Sequence, residues 1–302
     1  MNITGSTNIV GLIGNPVEHS FSPQMHNAAF KALNLDYTYV AFDVNPADLK
    51  TAINGAKSLN IKGFNVTIPH KINVINYLNT LDDIAKLIGA VNTIDFKNLK
   101  GYNTDGIGAI KAIEEIDSVK NKNIVIAGAG GASRAISFYL AKYGADKITI
   151  LNRNIDKAKN LANDILNSNL IEDIKTDSIS QINDYLNDSD ILINTTPVGM
   201  SPNINDKPIA SAENMHEDLI VFDAVYNPNE TVLLKEAIKA NAKPVYGIKM
   251  LLYQGAESFK IWTGQNPPID VMEEILIKTL NLKWYYGFNF WYFKFRLKKR
   301  RI

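Results

Sequence analysis

A glycine-rich turn at residues 128–133, with the sequence GAGGAS, is the first feature that points to chemistry. Gly128 and Gly130 occupy the first two glycine positions of the dinucleotide-binding motif. The first allows a tight turn from strand to helix, and the second lets the backbone approach a pyrophosphate at the helix N-terminus. Ser133 stands at the third position, where Gly or Ala usually permits close packing. An apolar strand before the turn and a helix after it favour dinucleotide binding over a purely structural turn.

The residues after the next strand indicate which dinucleotide is bound. NAD sites usually carry an acid there to hold the ribose 2′-hydroxyl, whereas an Arg can accommodate a 2′-phosphate. This chain has Asn152 and Arg153 at that place. A guanidinium matches the geometry of a phosphate, and no acid stands beside it. The alternative is a solvated surface Arg, but the pattern favours NADP.

The elements that must position these residues alternate between strand and helix. We predict strands at 8–14, 36–44, 63–68, 92–95 and 99–102 and helices at 22–35, 47–60, 82–88 and 105–116. A second series begins at Lys122, with strands at 123–128, 147–154, 190–196 and 219–226 and a helix at 134–144. This alternation predicts an α/β fold, in which helices cover largely parallel sheets.

The composition excludes several kinds of function. The 302 residues are 46% hydrophobic and 21% charged, which is typical of a soluble globular protein. The absence of cysteine excludes disulfides, thiolate catalysis and cysteine zinc sites, and it suits a reducing cytosol. His19 and His26 lack metal-ligand spacing with any acid, so we expect no metal site. We expect neither a signal peptide nor a membrane helix, which would need roughly 20 apolar residues.

Residues 283–302 differ from the rest of the chain. They contain seven Lys or Arg, no acid and nine of the 28 aromatic residues. The 25 basic and 31 acidic residues of positions 1–282 give a net charge of −6, which argues against nucleic-acid binding by the main body. The tail fits a dispensable or disordered extension, a membrane-surface anchor, or a contact with a partner or nucleic acid. The lack of an amphipathic period, with Gly287 interrupting it, favours the first.

Nine sequence blocks form a more specific pattern. They are GNPVEHSFSPQMHNAAF (14–30), FNVTIPHK (64–71), GAVNTI (89–94), GYNTDGIG (101–108), GAGGASRA (128–135), NRN (152–154), NTTPVGM (194–200), DAVYNP (223–228) and GIKMLLYQGAESF (247–259). In this order and spacing, the blocks resemble the shikimate dehydrogenase family over about residues 8–280.

The resemblance implies two α/β domains that flank a cleft. Residues 1–104, completed by helices within 247–282, would form the substrate-binding domain. Residues 105–246 would form a Rossmann-type NADP-binding domain, and 283–302 lie beyond the family's end. The implied reaction is the reversible reduction of 3-dehydroshikimate to shikimate by NADPH, a cytoplasmic step of aromatic biosynthesis. The resemblance allows a homodimer and implies neither a nucleic-acid partner nor stable membrane insertion.

The resemblance makes Lys71 and Asp105 the catalytic pair. Reducing a ketone requires a proton donor near the oxygen that gains negative charge, and Lys71 matches that position. Asp105 would orient the Lys71 ammonium and accept a hydrogen bond from a ring hydroxyl. Taken alone, Lys71 is an ordinary solvated Lys and Asp105 a first-turn acid that complements a helix dipole. Whether Lys71 transfers the proton or only binds substrate and polarises its carbonyl stays open.

The substrate positions are polar, as a hydroxylated carboxylic acid requires. Ser20 and Ser22 would hold the carboxylate, although Ser22 before Pro23 also fits an ordinary N-cap. The remaining matched positions are Asn65, Thr67, Asn92, Asp105, Tyr226 and Gln254. Their alternative roles are strand-end caps, packing and surface polarity.

The cofactor positions lie mainly in the second half of the chain. They are Asp83, Gly128, Ala129, Gly130, Gly131, Ala132, Asn152, Arg153, Asn154, Thr195, Thr196, Pro197, Ala224, Gly247 and Met250. In the family, Asp83, Ala224, Gly247 and Met250 would lie near the nicotinamide. Asn154 departs from the pattern, because many members have Thr there, and this puts one contact to the adenosine phosphate in doubt.

Three other functions share part of this pattern. They are a quinate/shikimate dehydrogenase that uses NAD, a non-catalytic regulator that binds NADP or shikimate, and an oxidoreductase of folate or tetrapyrrole metabolism. Arg153 and the serine pair argue against the first, and the presence of Lys71 and Asp105 argues against the second. The blocks of the first half fit the third poorly.

Overall fold

The computed structural model describes residues 3–280, which form two six-stranded sheets. The first sheet contains β1 (Asn8–Gly14), β2 (Tyr37–Asp43), β3 (Gly63–Val66), β4 (Thr80–Leu81), β5 (Thr93–Asp95) and β6 (Lys100–Tyr102). The second contains β7 (Asn123–Ala127), β8 (Lys147–Asn152), β9 (Asp173–Ser178), β10 (Ile191–Asn194), β11 (Ile220–Asp223) and β12 (Lys243–Val245). We call the parts built on them the first and second units.

Helices cover both sheets. They are α1 (Ser22–Ala32), α2 (Leu49–Ser58), α3 (Asp83–Ile88), α4 (Asp105–Ile113), α5 (Gly131–Lys142), α6 (Ile155–Leu166), α7 (Asn183–Leu186), α8 (Val232–Lys239), α9 (Gly247–Thr263) and α10 (Ile269–Thr279). Short 3-10 helices lie at Pro46–Asp48, Asn73–Tyr77, Ile179–Gln181 and Ala212–Asn214. The predicted α/β fold class is confirmed.

The first sheet has the order β2-β1-β3-β5-β6-β4. As predicted from the alternation of elements, β1 pairs in parallel with β2 and β3. However, β5 runs antiparallel to both β3 and β6, so the first sheet is mixed rather than largely parallel. The short connection at 96–99 accounts for the antiparallel β5–β6 pair. A parallel crossover needs a dozen residues or more, whereas an antiparallel hairpin does not.

The second sheet has the order β12-β11-β10-β7-β8-β9, and all its pairs are parallel. The chain crosses from one side of β7 to the other when it passes from β9 to β10. Ligands of open α/β sheets bind in the crevice at such a reversal of strand order, beyond the carboxyl ends of the strands. The turn at 128–133 follows β7 directly and therefore lies at this crevice.

The ends of several helices differ from the sequence prediction. α1 ends at Ala32 rather than at 35, and Asn34 adopts a left-handed conformation with φ of 51°. α4 ends at Ile113 rather than at 116. α5 begins at Gly131, three residues before the predicted start, because the glycine-rich turn already supplies its first residues. Hydrophobic periodicity therefore identified the helices but not their ends.

The C-terminal helices pack back on the first unit. Leu252 and Phe259 of α9 and Met272 of α10 belong to the same buried cluster as Met25 and Phe30 of α1. The division of the chain at 104/105 and 246/247 stays a prediction. The aromatic and basic tail at 283–302 lies outside the described residues, and within residues 3–280 no helix is long and apolar enough to cross a membrane.

Candidate active site

An ion pair joins the turn after β3 to the start of α4. Lys71 lies in the turn after β3, and its Nζ is 2.6 Å from Oδ2 of Asp105, the first residue of α4. The Lys71 and Asp105 side chains are 31% and 17% exposed, so both groups can reach a ligand. His70 anchors the turn, because its buried ring donates to the carbonyl of Val44 (2.7 Å). The backbone holds Lys71 as well, since its carbonyl accepts from the Val91 N–H.

Asn92 fixes the carboxylate of Asp105 from the other side. Its Nδ2 donates to Oδ1 of Asp105 (2.8 Å) and to the hydroxyl of Thr104 (2.9 Å). Its Oδ1 accepts from the Thr104 N–H (2.7 Å), which determines the orientation of the amide. One oxygen of Asp105 therefore binds Asn92 and the other binds Lys71. This arrangement leaves the ammonium with donor capacity for a further acceptor.

A buried polar network continues from this pair into the core. The Oδ1 of Asn65 accepts from the Tyr39 hydroxyl (2.9 Å), and its Nδ2 donates to the hydroxyls of Thr93 (3.1 Å) and Ser258 (2.9 Å). Ser258 belongs to α9, so a C-terminal helix contributes directly to the network. Because each buried group has a partner, the network holds β2, β3, β5 and α9 in one arrangement.

Residues of the second unit approach the same place. The Tyr226 ring contacts the edge of the Phe21 ring, with ring centres 6.4 Å apart at 78°. Burial raises the pKa of the Tyr226 phenol, while the nearby positive charge of Lys71 acts in the opposite direction. Tyr226 therefore lies within electrostatic range of the Lys71–Asp105 pair, although it follows β11 of the other sheet.

The glycine-rich turn has the geometry of an anion site. Gly128 has a φ of 111°, and a Cβ there would overlap Oγ1 of Thr195, so no other residue fits well. Apart from the adjacent residues and the backbone of α5 itself, no described atom lies within 4 Å of where Gly130 and Gly131 would carry a Cβ. The N-terminus of α5 therefore opens onto free space, as the pyrophosphate of a dinucleotide requires. Ser133, at the third motif position, closes the turn by donating to the carbonyl of Gly128 (2.8 Å).

The end of β8 leaves a guanidinium free for a ligand. Arg153 is exposed, and no hydrogen bond or ion pair joins it to the rest of residues 3–280. Asn154 is the N-cap of α6, and its Oδ1 accepts from the N–H groups of Asp156 (3.1 Å) and Lys157 (3.2 Å). The Asn154 side chain therefore performs a local capping role that Thr can also perform, and its amide group remains a donor.

Three family models match the chain. They are described as the shikimate dehydrogenase substrate binding domain (residues 12–94), shikimate / quinate 5-dehydrogenase (111–232) and the shikimate 5'-dehydrogenase C-terminal domain (247–277). A shikimate dehydrogenase (NADP(+)) of Methanobrevibacter smithii is 71% identical over 93% of this chain and 100% of its own length. The chain belongs to the shikimate dehydrogenase family.

Solved structures of this family have the same fold. A shikimate dehydrogenase in complex with NADP+ superposes with a TM-score of 0.85 at 53% identity, covering 92% of this chain and 98% of the other. The shikimate 5-dehydrogenase of Listeria monocytogenes, in complex with shikimate and NAD, gives a TM-score of 0.87 at 38% identity, with 91% and 98% covered. The predicted family and the two-unit α/β fold are thereby confirmed.

The other predicted substrate residues have contacts outside the Lys71–Asp105 ion pair. α1 begins at Ser22, and among the described side chains none caps it; instead Ser20 Oγ accepts from the Ser22 N–H (3.3 Å). The N-cap interpretation of Ser22 is therefore wrong. Thr67 is half-buried beside Gly14, where a Cβ would overlap its methyl group. The Nε2 of Gln254 donates to a carbonyl of its own helix, that of Leu251 (3.0 Å).

The predicted nicotinamide positions form one close-packed group except for Asp83. A Cβ on Gly247 would lie 2.5 Å from the carbonyl oxygen of Val225 and 2.8 Å from that of Ala224, so the start of α9 touches the loop after β11. Met250 packs half-buried against the adjoining core. The Asp83 side chain is fully exposed and 3.6 Å from Lys86. Its cofactor role stays a prediction, as do the roles of the other predicted cofactor residues.

Several buried polar residues of this site were not predicted from the sequence. Tyr39, Thr93, Thr104 and Ser258 are buried and hydrogen-bonded in the network around Asn65 and Asn92. The last three lie inside the blocks GAVNTI, GYNTDGIG and GIKMLLYQGAESF, which was the available signal. No cluster of three or more His, Cys, Asp or Glu that could hold a metal occurs within residues 3–280.

Proposed function

We propose that the protein catalyses the reversible reduction of 3-dehydroshikimate to shikimate with NADPH. The observation that carries the proposal is the Lys71–Asp105 ion pair, which Asn92 fixes at the edge of the first unit with Tyr226 of the second unit beside it. A relative of the same family with 71% identity bears the name shikimate dehydrogenase (NADP(+)). The pair and the glycine-rich turn together meet the needs of ketone reduction.

The residues of the first unit bind the ketone and supply the proton. NADPH, when bound, supplies the hydride for the carbonyl carbon. The Lys71 ammonium donates to the carbonyl oxygen and transfers its proton as negative charge develops there. Asp105 accepts from Lys71, which keeps the ammonium charged and oriented. Ser20 and Ser22 bind the carboxylate, and Asn65, Thr67, Asn92, Tyr226 and Gln254 bind or position the ring hydroxyls.

The second unit holds the cofactor. The open space at Gly130 and Gly131 fits the pyrophosphate, and the unpaired Arg153 fits the 2′-phosphate. Gly128, Ala129, Ala132, Asn152 and Asn154 complete that side. Thr195, Thr196, Pro197, Ala224, Gly247 and Met250 line the nicotinamide side, together with Asp83.

A two-by-two turnover assay tests this function. Purified protein receives shikimate or quinate with NADP+ or NAD+, and the rise of reduced-nicotinamide absorbance is measured. We expect fast turnover with shikimate and NADP+ alone. Comparable rates with quinate or NAD+ would move the protein to the broader quinate/shikimate class. The Listeria monocytogenes relative, in complex with shikimate and NAD, provides a precedent for NAD in this family. No turnover with any pair would favour a binding regulator.

Replacing Lys71 separates proton transfer from binding. Lys71→Met should lower kcat by about 10²–10⁴-fold while shikimate affinity changes little, because a positioned general acid contributes on that scale. Lys278→Met is the matched control, since Lys278 is 61% exposed and, within residues 3–280, pairs only with Glu274 on α10. A loss confined to shikimate affinity would contradict proton transfer by Lys71.

The proposal includes a cytoplasmic location and a homodimer that binds no nucleic acid and no membrane stably. Light scattering of the purified protein measures its mass directly. A mass of one chain at micromolar concentration would refute the dimer, and it would leave the proposed reaction unaffected.

A further inference from the structure

A buried carboxylate lies at the carboxyl end of β11. Asp223 is 0% exposed, and the groups that bind it are all uncharged. Burial raises the pKa of Asp223 to about 6, which the hydrogen bonds oppose. Burying a carboxylate without a cation costs free energy that a buried amide would not cost. A group of this kind calls for a role beyond filling the core.

The carboxylate connects two loops of the second unit. Its Oδ1 accepts from Nδ2 of Asn194 (2.9 Å) and from the Val225 N–H (3.0 Å), and its Oδ2 accepts from the Thr231 hydroxyl (2.6 Å). Asn194 is the last residue of β10, and Thr231 is the N-cap of α8. The loop at 195–203 therefore follows a residue that is bonded to Asp223. The loop at 224–231 starts directly after Asp223 and ends at Thr231, which is also bonded to it.

The bond to Asn194 reaches further into the first of these loops. Because Asp223 takes the Nδ2 group, the Oδ1 of Asn194 points the other way and accepts from both the N–H (3.0 Å) and the hydroxyl (2.7 Å) of Thr196. A second link, from the Ser201 N–H to the Asn227 carbonyl (2.9 Å), holds the two loops side by side. Removing the carboxylate would free the Asn194 amide to rotate and release Thr196.

The two loops carry residues from both sides of the proposed site. Thr195 and Thr196 lie on the first loop, and Ala224 and Tyr226 on the second. Tyr226 contacts Phe21 of the first unit and lies in the field of Lys71. A shift of the Asp223 carboxylate would therefore move both loops and, through Tyr226, the residues around the substrate site.

We infer that Asp223 is a positioning residue, whose ionised carboxylate holds the two loops in the arrangement that binds the nicotinamide half of the cofactor. The inference rests on the proposed function for the identity of the ligand. It adds that binding depends on the charge state of a group that touches neither substrate nor cofactor. Ionised acceptors form hydrogen bonds about twice as strong as neutral ones, so protonation loosens all three bonds.

The elements packed around Asp223 bring only uncharged groups to its carboxylate, so the expected pH dependence of cofactor binding comes from Asp223. Among residues 3–280, β10 brings Asn194 to the carboxylate, α8 brings Thr231 at its N-terminus, and α9 brings Gly247 against the Asp223 carbonyl. β12 brings Val245, paired with the neighbouring Phe222. No charge on these elements contributes to the pKa of Asp223. The titration near pH 6 therefore belongs to Asp223 itself.

Direct binding of NADPH tests the inference without relying on turnover. The dissociation constant is measured by NADPH fluorescence at pH 7.5 and pH 5.5 for the protein, Asp223→Asn and Asp223→Ala. The Asn variant retains an acceptor for Asn194 and Val225 but has no charge. Ser137→Ala is the control, because it removes a buried hydroxyl of the same unit that has no partner among the described residues.

The expected result has two parts. At pH 7.5 the dissociation constant rises about 3-fold in Asp223→Asn and about 10-fold in Asp223→Ala, as lost charge and then lost hydrogen bonds predict. Between pH 7.5 and 5.5 the protein loses about twofold more affinity than Asp223→Asn does, since a group with a pKa near 6 falls from almost fully to about one-quarter ionised and its neutral form binds about 3-fold more weakly. The 2′-phosphate also titrates near pH 6, but it does so equally in both proteins.

Two outcomes would overturn the inference. One is a dissociation constant in Asp223→Asn with the same pH dependence as in the unaltered protein. The other is a fall in melting temperature in both variants with NADPH affinity within twofold of the Ser137→Ala control, which would make Asp223 purely structural. If Asp223→Ala does not fold, the pH comparison with Asp223→Asn still decides. Failure of the turnover assay with intact NADPH binding would refute the proposed function alone.

Discussion

Acidification should destabilise the first unit through one buried histidine. His26 on α1 is 0% exposed and lies parallel to the Tyr39 ring at 4.5 Å, with Phe30 and Trp262 beside it. Neither ring nitrogen has a hydrogen-bond partner among the described residues. Burial lowers the pKa of His26 from 6.5 to about 3, because the charged ring would lose its hydration without compensation.

The size of the effect follows from the two pKa values of His26. Between pH 6.5 and about 3, His26 is protonated in the unfolded chain but neutral in the folded protein. The free energy of unfolding therefore falls as the pH falls. From pH 7 to pH 5 this single ring removes about 2 kcal/mol. Asp223 acts in the opposite direction. Its pKa rises from 3.8 to about 6 on folding, so its ionisation lowers the free energy of unfolding at neutral pH. Protonation between pH 7 and pH 5 raises that free energy by about 1 kcal/mol.

His26→Leu isolates the histidine contribution, since Leu fills the apolar site and Asp223 stays the same in both proteins. Urea unfolding at pH 7 and pH 5 is followed by the fluorescence of Trp262, in a background with Trp284→Phe and Trp291→Phe. The change in unfolding free energy between the two pH values should differ by about 2 kcal/mol between the His26 and His26→Leu proteins. Parallel pH dependences, within about 0.5 kcal/mol, would refute the argument. A native His26 signal that titrates near pH 6.5 in an NMR spectrum would also refute it.

Two further substitutions test the second unit. Arg153→Ser should raise KM for NADP+ by about 10–100-fold and leave KM for NAD+ within twofold, since only the 2′-phosphate loses a charge-assisted partner. An equal rise of KM for both dinucleotides would contradict phosphate binding by Arg153. Gly247→Ala should destabilise the protein by about 1–3 kcal/mol in thermal unfolding, because its Cβ would lie 2.5 Å from the Val225 carbonyl. Gly55→Ala in α2 is the control, because a Cβ there would meet no described atom within 4 Å beyond its own helix backbone and adjacent residues. This change should stabilise the protein by up to about 1 kcal/mol, so similar effects of the two changes would exclude steric overlap.

Local sequence determined the dinucleotide-binding features. The turn after β7 needs Gly128 because its backbone adopts a φ of 111°, and Arg153 follows directly from the end of β8. Such features depend on a few consecutive residues, so turn chemistry and element order were enough to predict them. The same locality explains why the fold class followed from the alternation of strands and helices.

Strand direction and helix ends depended on tertiary contacts rather than on local sequence. The sequence suggested a largely parallel first sheet, but β5 pairs antiparallel with both β3 and β6. The local sequence favoured an N-cap at Ser22, yet the helix begins at that residue without a side-chain cap.

By itself, the sequence determined the family and the fold class. Only the tertiary structure decided which side chains meet. Asn65 and Ser258 are 193 positions apart and share a hydrogen bond, and Tyr226 reaches Phe21 from the other sheet. The His26 ring and the Asp223 carboxylate owe their shifted pKa values to burial by several elements at once. Dielectric environment and hydrogen-bond partners are properties of packing, which no local run of residues contains.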